Sequence, residues 1–199
     1  MSATSAPFGF RPSYHNSGVI RQKAYTITSG LATDIFSGDP VKLNDNGTVQ
    51  LGTSDGLRGG TVATINLLGI LSGVEYTDSL GKPTLSNYWP SGTSVLANTT
   101  VTAWVYDDPE TLFDVQFTNP SPASSVQPAV GDEADWVNAT GGSAQTGLSL
   151  ASLGTGKAAG QFQITGFSHN IADALTDTYI TTTVRINLHH YKAAVARVS

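Results

Sequence analysis

The chain predicts an all-β fold: an antiparallel β-sandwich or barrel-like domain with an extended N-terminal arm and little helix. Three observations predict it. The 199 residues include 25 Thr, 20 Ser, 21 Gly and 9 Pro, and β-branched residues punctuated by turn formers favour strands over helices. Good helix formers are scarce, with five Lys, five Arg, three Glu and one Met,. Apolar and polar residues alternate strictly over several windows of the second half, which is the period of a half-buried antiparallel strand.

Residues 1–22 read as the arm. Pro7 and Pro12 bracket Phe8-Gly9-Phe10-Arg11, and the polar stretch that follows has neither a two-residue nor a helical period. Two Phe separated by Gly gain by finding a pocket, either on another surface or on their own domain. Residues 23–199 read as a single β-rich domain without internal repeats. Residues 23–28, 40–43 and 48–51 are strand runs, and the last two flank Asn44-Asp45-Asn46-Gly47, a hairpin turn that needs positive φ. Residues 61–76 form the longest apolar stretch, interrupted by Gly69 and Gly73. This is one long bent strand, or two strands with a glycine bulge. A turn over 78–83 leads to short strands at 84–88 and 93–96.

The second half carries the clearest patterns. Over 101–106, Val101, Ala103 and Val105 alternate with Thr102, Trp104 and Tyr106. Over 112–118, Phe113, Val115 and Phe117 oppose Asp114, Gln116 and Thr118. Over 178–191, Ile180, Thr182, Val184, Ile186, Leu188 and His190 share a face, leaving Arg185, Asn187 and His189 on the other,. Between these windows, 119–128 is a proline-rich loop and 131–138 suits a helical turn around Trp136. Residues 139–160 are loose, and 161–167 return to strand.

Composition bounds the function. Only 13% of residues are charged, against roughly 25% in an ordinary soluble domain. The absence of Cys excludes disulfides, a thiol nucleophile and a Cys-ligated zinc,. A net charge of −5 offers no basic footprint for nucleic acid,. No apolar run reaches the roughly 20 residues of a membrane span, and the first residues lack the basic and apolar parts of a secretory signal. The expectation is a soluble protein made inside a cell.

Few constellations suggest chemistry. Asp107-Asp108-Pro109-Glu110 places three carboxylates at the end of a strand, where a glycosidase pair or a cation site could be built. The same residues make an ordinary turn. His189-His190 is the one His pair, but neighbours on a strand point to opposite faces and cannot share a metal. Nucleophile-elbow, phosphate-loop, dinucleotide and zinc-protease motifs are absent, so no catalytic residue and no cofactor is expected. Trp104 and Tyr106 give their strand two apolar-leaning faces, which fits either a core strand or a subunit contact.

Five stretches then carry a resemblance. They are Ala6-Pro7-Phe8-Gly9-Phe10-Arg11-Pro12; Gly38-Asp39-Pro40-Val41-Lys42-Leu43 with Asn46-Gly47; Gly69-Ile70-Leu71-Ser72-Gly73-Val74-Glu75-Tyr76; Tyr88-Trp89-Pro90-Ser91-Gly92-Thr93; and Tyr106-Asp107-Asp108-Pro109-Glu110-Thr111-Leu112-Phe113-Asp114-Val115-Gln116. In this order the chain resembles the head decoration, or cement, proteins of tailed bacteriophages, with a weaker echo over 184–191. The resemblance implies a β-rich homotrimer on the virion exterior. Its partner would be the major capsid protein, at three-fold and quasi-three-fold positions of the shell. Phe8 and Phe10 are the expected capsid anchors and Arg11 the expected partner of capsid carboxylates. Two other readings stand beside it. A carbohydrate-binding module would use exposed Trp and Tyr with Asp and Asn, and a hydrolase would centre on Asp107, Asp108 and Glu110.

Overall fold

The computed structural model describes residues 4–53, 66–121, 124–137, 141–155, 160–167 and 174–192. In chain order the first half supplies β1 (Arg11–Tyr14), β2 (Lys23–Ile27), β3 (Ile35–Phe36), β4 (Pro40–Leu43), β5 (Val49–Leu51), β6 (Gly69–Thr77), β7 (Pro83–Ser86), β8 (Tyr88–Trp89) and β9 (Val101–Tyr106). The second half supplies β10 (Leu112–Thr118), β11 (Glu133–Ala134), β12 (Trp136–Val137), β13 (Gly142–Ser143), β14 (Leu148–Ser149), β15 (Ser152–Leu153), β16 (Phe162–Phe167) and β17 (Tyr179–Ile186). The helical content of the described residues is one 3-10 turn, Gln127–Ala129. No helix among them is long and apolar enough to cross a membrane. The all-β expectation holds, and it takes the barrel form.

The first barrel is a ring. Its strands run β4-β5-β2-β9-β6, and β6 returns to β4 through Pro40↔Ile70 and Val41↔Gly69. Inward positions alternate along each strand, so Ile27, Val41, Val49, Leu71, Val74, Val101, Ala103 and Val105 fill one core with Trp89. Closure leaves fewer unpaired strand edges. The turn after β4 is built as its sequence suggests: Asn44 Oδ1 accepts from the N–H of Asn46 and Thr48, and Gly47 supplies φ +73°. In β6 the register slips between Leu71 and Gly73, a bulge that sets Ser72 outside the regular pairing,.

The second barrel closes differently. Its strand path is β11-β16-β17-β10-β15-β12, and the two ends of that path are neighbours in sequence, joined by Asp135 alone. A bend at this residue hands the chain from β16 to β15 and so closes the ring. The Asp135 carboxylate accepts the Gln161 N–H at 3.2 Å beside the bend. Phe113, Val115, Phe117, Trp136, Leu153, Phe162, Ile164, Ile180 and Val184 fill its core.

The barrels meet along a hydrogen-bonded seam. Two further two-stranded pairs, β3–β8 and β13–β14, are joined here: Ser37 N–H donates to the Gly147 carbonyl (3.0 Å) and Ser149 N–H to the Ser37 carbonyl (2.9 Å). Further along, Leu67 N–H donates to Leu188 O and His190 N–H to Leu67 O, each at 2.8 Å. Leu67 and Ile70 are buried in the second core, and Leu51 packs against both cores.

The N-terminal segment is extended, and its residues 11–14 are laid onto the second barrel. β1 pairs antiparallel with β10 through Arg11↔Asp114, Pro12↔Phe113 and Tyr14↔Leu112. It occupies the part of the β10 edge that β15 does not, since β15 meets β10 at Phe117↔Leu153.

Three local expectations are corrected. Where a helical turn is expected around Trp136, Glu133–Ala134 and Trp136–Val137 form β11 and β12, because β16 and β15 take their backbone groups and Ala134 and Trp136 are buried. Residues 93–96 hold only one isolated bridge, Asp78↔Val95. The alternation of β17 ends at Ile186, so the buried histidine is His189 and the exposed one is His190. The start of the apolar stretch, 61–65, lies outside the described residues.

Candidate functional site

The site is built from the arm upward. Gly9 adopts φ +73°, and a Cβ there would stand 2.8 Å from Ser149 Cβ. Only glycine lets the arm backbone come this close to β14. Its N–H donates to Ala151 O (3.1 Å), and Phe10 N–H donates to Gly38 O (2.9 Å). The arm is therefore stitched to the connections β3–β4 and β14–β15.

Phe10, expected as a capsid anchor, is a core residue of this chain. It is 1% exposed and stacks on Phe162 with ring centroids 4.4 Å apart, so its apolar surface is already withdrawn from water. Phe8 and Arg11 differ. Phe8 is half-buried and Arg11 is exposed, and the guanidinium carbon lies 4.7 Å from the Phe8 ring centroid, a cation–π pair at the surface,. The three expected arm residues thus divide into one core residue and two surface residues.

Phe8, Phe10, Arg11 and Pro12 line a shallow pocket of about 170 Å³ with Gly38, Leu71, Ser72, Tyr106 and Leu148. Tyr106 belongs to the expected contact strand, so the two sets of expected residues meet here. The Tyr106 hydroxyl accepts from Gln22 Nε2 at 2.8 Å and lies 3.4 Å from Ser72 Oγ, and Gln22 Nε2 also reaches Ser72 Oγ at 2.8 Å. Trp104 sits two residues away on the same outer face of β9 and lines an adjoining pocket of about 350 Å³. Ser72 is common to both pockets.

Beneath the first pocket lies Asp39, 1% exposed. Its carboxylate accepts the Phe36 N–H at 2.8 Å, from the two-stranded pair β3–β8, and the Ser149 hydroxyl at 2.5 Å, from the pair β13–β14. Burial pushes its pKa up to about 6, although both hydrogen bonds pull the other way,. This acid holds the seam on which the arm rests.

The carboxylate cluster is dispersed into separate pairs. The Tyr25 hydroxyl donates to Asp107 Oδ2 at 2.6 Å, and Lys23 Nζ lies 3.6 Å from the same oxygen. His15 accepts the Ser17 N–H at Nδ1, which leaves Nε2–H directed at Asp108 Oδ2, 3.2 Å away. Lys192 pairs with Glu110, and Asp108 Oδ1 accepts the Glu110 N–H at 2.9 Å, closing a turn. Burial, with Asp107 second, pushes the Tyr25 phenol above its usual range. This arrangement is an ion-paired turn rather than a cleft with two free carboxylates. Among the described residues no three His, Asp or Glu side chains converge as a metal site requires. Burial lowers the pKa of His189, and its Nδ1 accepts the Tyr191 N–H at 3.1 Å.

Of the three Trp, Trp89 and Trp136 are core residues at 0% and 3% exposure, whereas Trp104 is half-buried. Gln22, Ser72 and Leu148 belong to the site yet were not singled out in the sequence. Ser72 lies between Gly69 and Gly73, which mark a bent strand or a bulge, and Leu148 is one of the few apolar residues of the loose tract 139–160. Compared with protein-family models, with curated proteins and with solved structures, the chain matches none.

Proposed function

We propose that this chain is a structural virion protein rather than an enzyme. In this reading it is a decoration or cement protein, which binds the outside of a tailed-phage head as a homotrimer and ties neighbouring capsid subunits together. The observation that carries the reading is a convergence. Phe8, Phe10, Arg11 and Pro12, then Gly38, then Leu71 and Ser72, and finally Tyr106 line one pocket, and these residues come from four of the five stretches that carry the resemblance. Stretches scattered over a hundred positions of sequence meet at one place on the surface.

Arg11 and Phe8 are the contact pair in this proposal. A guanidinium held over an aromatic ring offers a planar donor fork to a capsid carboxylate and an apolar edge to a neighbouring side chain. The arm is already seated, so little ordering entropy is lost on binding. Three copies around a symmetry axis multiply a weak contact by avidity. The junction of the two barrels presents the pair on a rigid base.

The test uses heads that lack this protein. Adding back the purified full chain should saturate the shell at a fixed stoichiometry and raise the temperature at which the heads release DNA. Heads equally heat-stable with and without the chain would remove the cement reading.

A further inference from the structure

We infer that the groove beside Trp104 is a binding site for a neutral carbohydrate. The inference does not rest on the capsid reading: it is carried by Trp104, which lines only the groove adjoining the arm pocket. In β9, Trp104 pairs with Ala24 on one neighbouring strand and with Gly73 on the other. The residues level with it on both sides are the two smallest available, so no bulky side chain there covers the indole. Trp104 is also the one tryptophan outside the cores, and its groove holds about 350 Å³, a volume suited to one or two sugar rings.

The remaining lining is polar without charge. Gln22, Ser72, Ser86 and Asn87 surround the indole, and Leu85, 79% exposed, closes one side. Gln22 is held by its own donor: Nε2 binds Ser72 Oγ and the Tyr106 hydroxyl, both at 2.8 Å. Its amide oxygen is therefore the end offered to a ligand. Asn87 Nδ2 reaches the Thr146 carbonyl at 3.4 Å, which likewise orients its oxygen. Sugar rings present apolar C–H faces that stack on indole and hydroxyls that pair with amides. A groove without Lys, Arg, Asp or Glu among its lining residues selects against sialylated and sulfated glycans, which would leave a charge unpaired.

A subunit contact would present a different surface. Such contacts are flat and apolar at their centre with polar groups at the rim, whereas here the amides and hydroxyls surround the indole inside a concavity.

The experiment applies the full chain to an array of neutral hexose and N-acetylhexosamine oligosaccharides with sialylated and sulfated glycans alongside. Positives are then titrated by tryptophan fluorescence. The expected result is saturable binding of at least one neutral glycan, weakened tenfold or more by Trp104→Ala and partly retained by Trp104→Phe. The affinity should change less than twofold between 0.1 and 0.5 M salt, because an uncharged ligand gives salt no attraction to screen. Gln22→Ala and Asn87→Ala, both surface changes, should each weaken it several-fold and keep the test decisive if the Trp104 variants fold poorly. Binding of charged glycans only, equal binding by all the variants, or no binding at all overturns the inference. So does a Trp104→Ala variant whose main effect is to dissociate an oligomer in sedimentation.

Discussion

Phe10 and Phe162 stack with their ring planes 16° apart, joining the tenth residue of the chain to the first strand residue of β16. Phe10 is therefore part of the second barrel's core, and that core is completed by a residue made long before β16. Phe10→Ala should cost about 3–5 kcal/mol, the usual range for truncating a buried aromatic. Deleting residues 1–14 should cost at least as much, because it also uncovers the edge of β10. Urea unfolding of the two variants beside the parent chain checks this, and a loss below about 1 kcal/mol would show that the stack contributes little.

Phe8→Ala and Arg11→Ala should separate binding from stability. Both side chains lie at the surface, so each change should move the unfolding free energy by less than about 1 kcal/mol. If the arm meets the shell as proposed, each should lower shell occupancy several-fold in co-sedimentation with undecorated heads. Equal occupancy by the parent and both variants would remove the arm from the interface.

Gly9→Ala tests how the arm is seated. The added Cβ would crowd Ser149 Cβ in a left-handed backbone, and the expected cost is about 1–3 kcal/mol. Limited proteolysis should then cut the arm before it cuts the barrels. A variant as stable and as protease-resistant as the parent would contradict the close approach.

The seam should respond to acid through Asp39. Its folded pKa of about 6 stands above the ordinary 3.8, so between these values the folded chain keeps a proton that the unfolded chain has lost. Its contribution to stability therefore falls as pH rises from about 4 to 6 and is constant above, a penalty of roughly 3 kcal/mol at most. His189 has the opposite sign: its folded pKa is lowered from 6.5, so its contribution is lost as pH falls below that value. Asp39→Asn removes the first slope and leaves the second. The stability of this variant relative to the parent should rise between pH 4 and pH 7 in denaturant melts, and a flat difference would show that Asp39 ionises normally.

Shell binding should weaken only modestly with salt. Charged residues make up 13% of the chain, and a surface of Thr, Ser and Asn packs in many copies with little repulsion to screen. Occupancy measured from 0.05 to 0.5 M salt should fall by a small factor, and a loss of a hundredfold would point to a charge-dominated contact.

What the residues determined by themselves is local. β4, β9 and β10 begin and end where the alternation does, because the two-residue period and the turn chemistry are written in neighbouring positions. The inward faces of β9, β10 and β17 follow from that period too, while Gly69 and Gly73 left a bent strand and a glycine bulge both open, and the structure places the irregularity between Leu71 and Gly73. What only tertiary structure decided is closure and commitment. Both rings depend on long-range pairing, β4 with β6 and the bend at Asp135 between β15 and β16, and strand pairing between distant segments leaves no trace in a local window. The same limit applies to Phe8 and Phe10, two residues apart with the same side chain. One stacks inside a barrel completed some 150 residues later and the other stays at the surface under Arg11, since burial is set by what the rest of the chain brings to each ring.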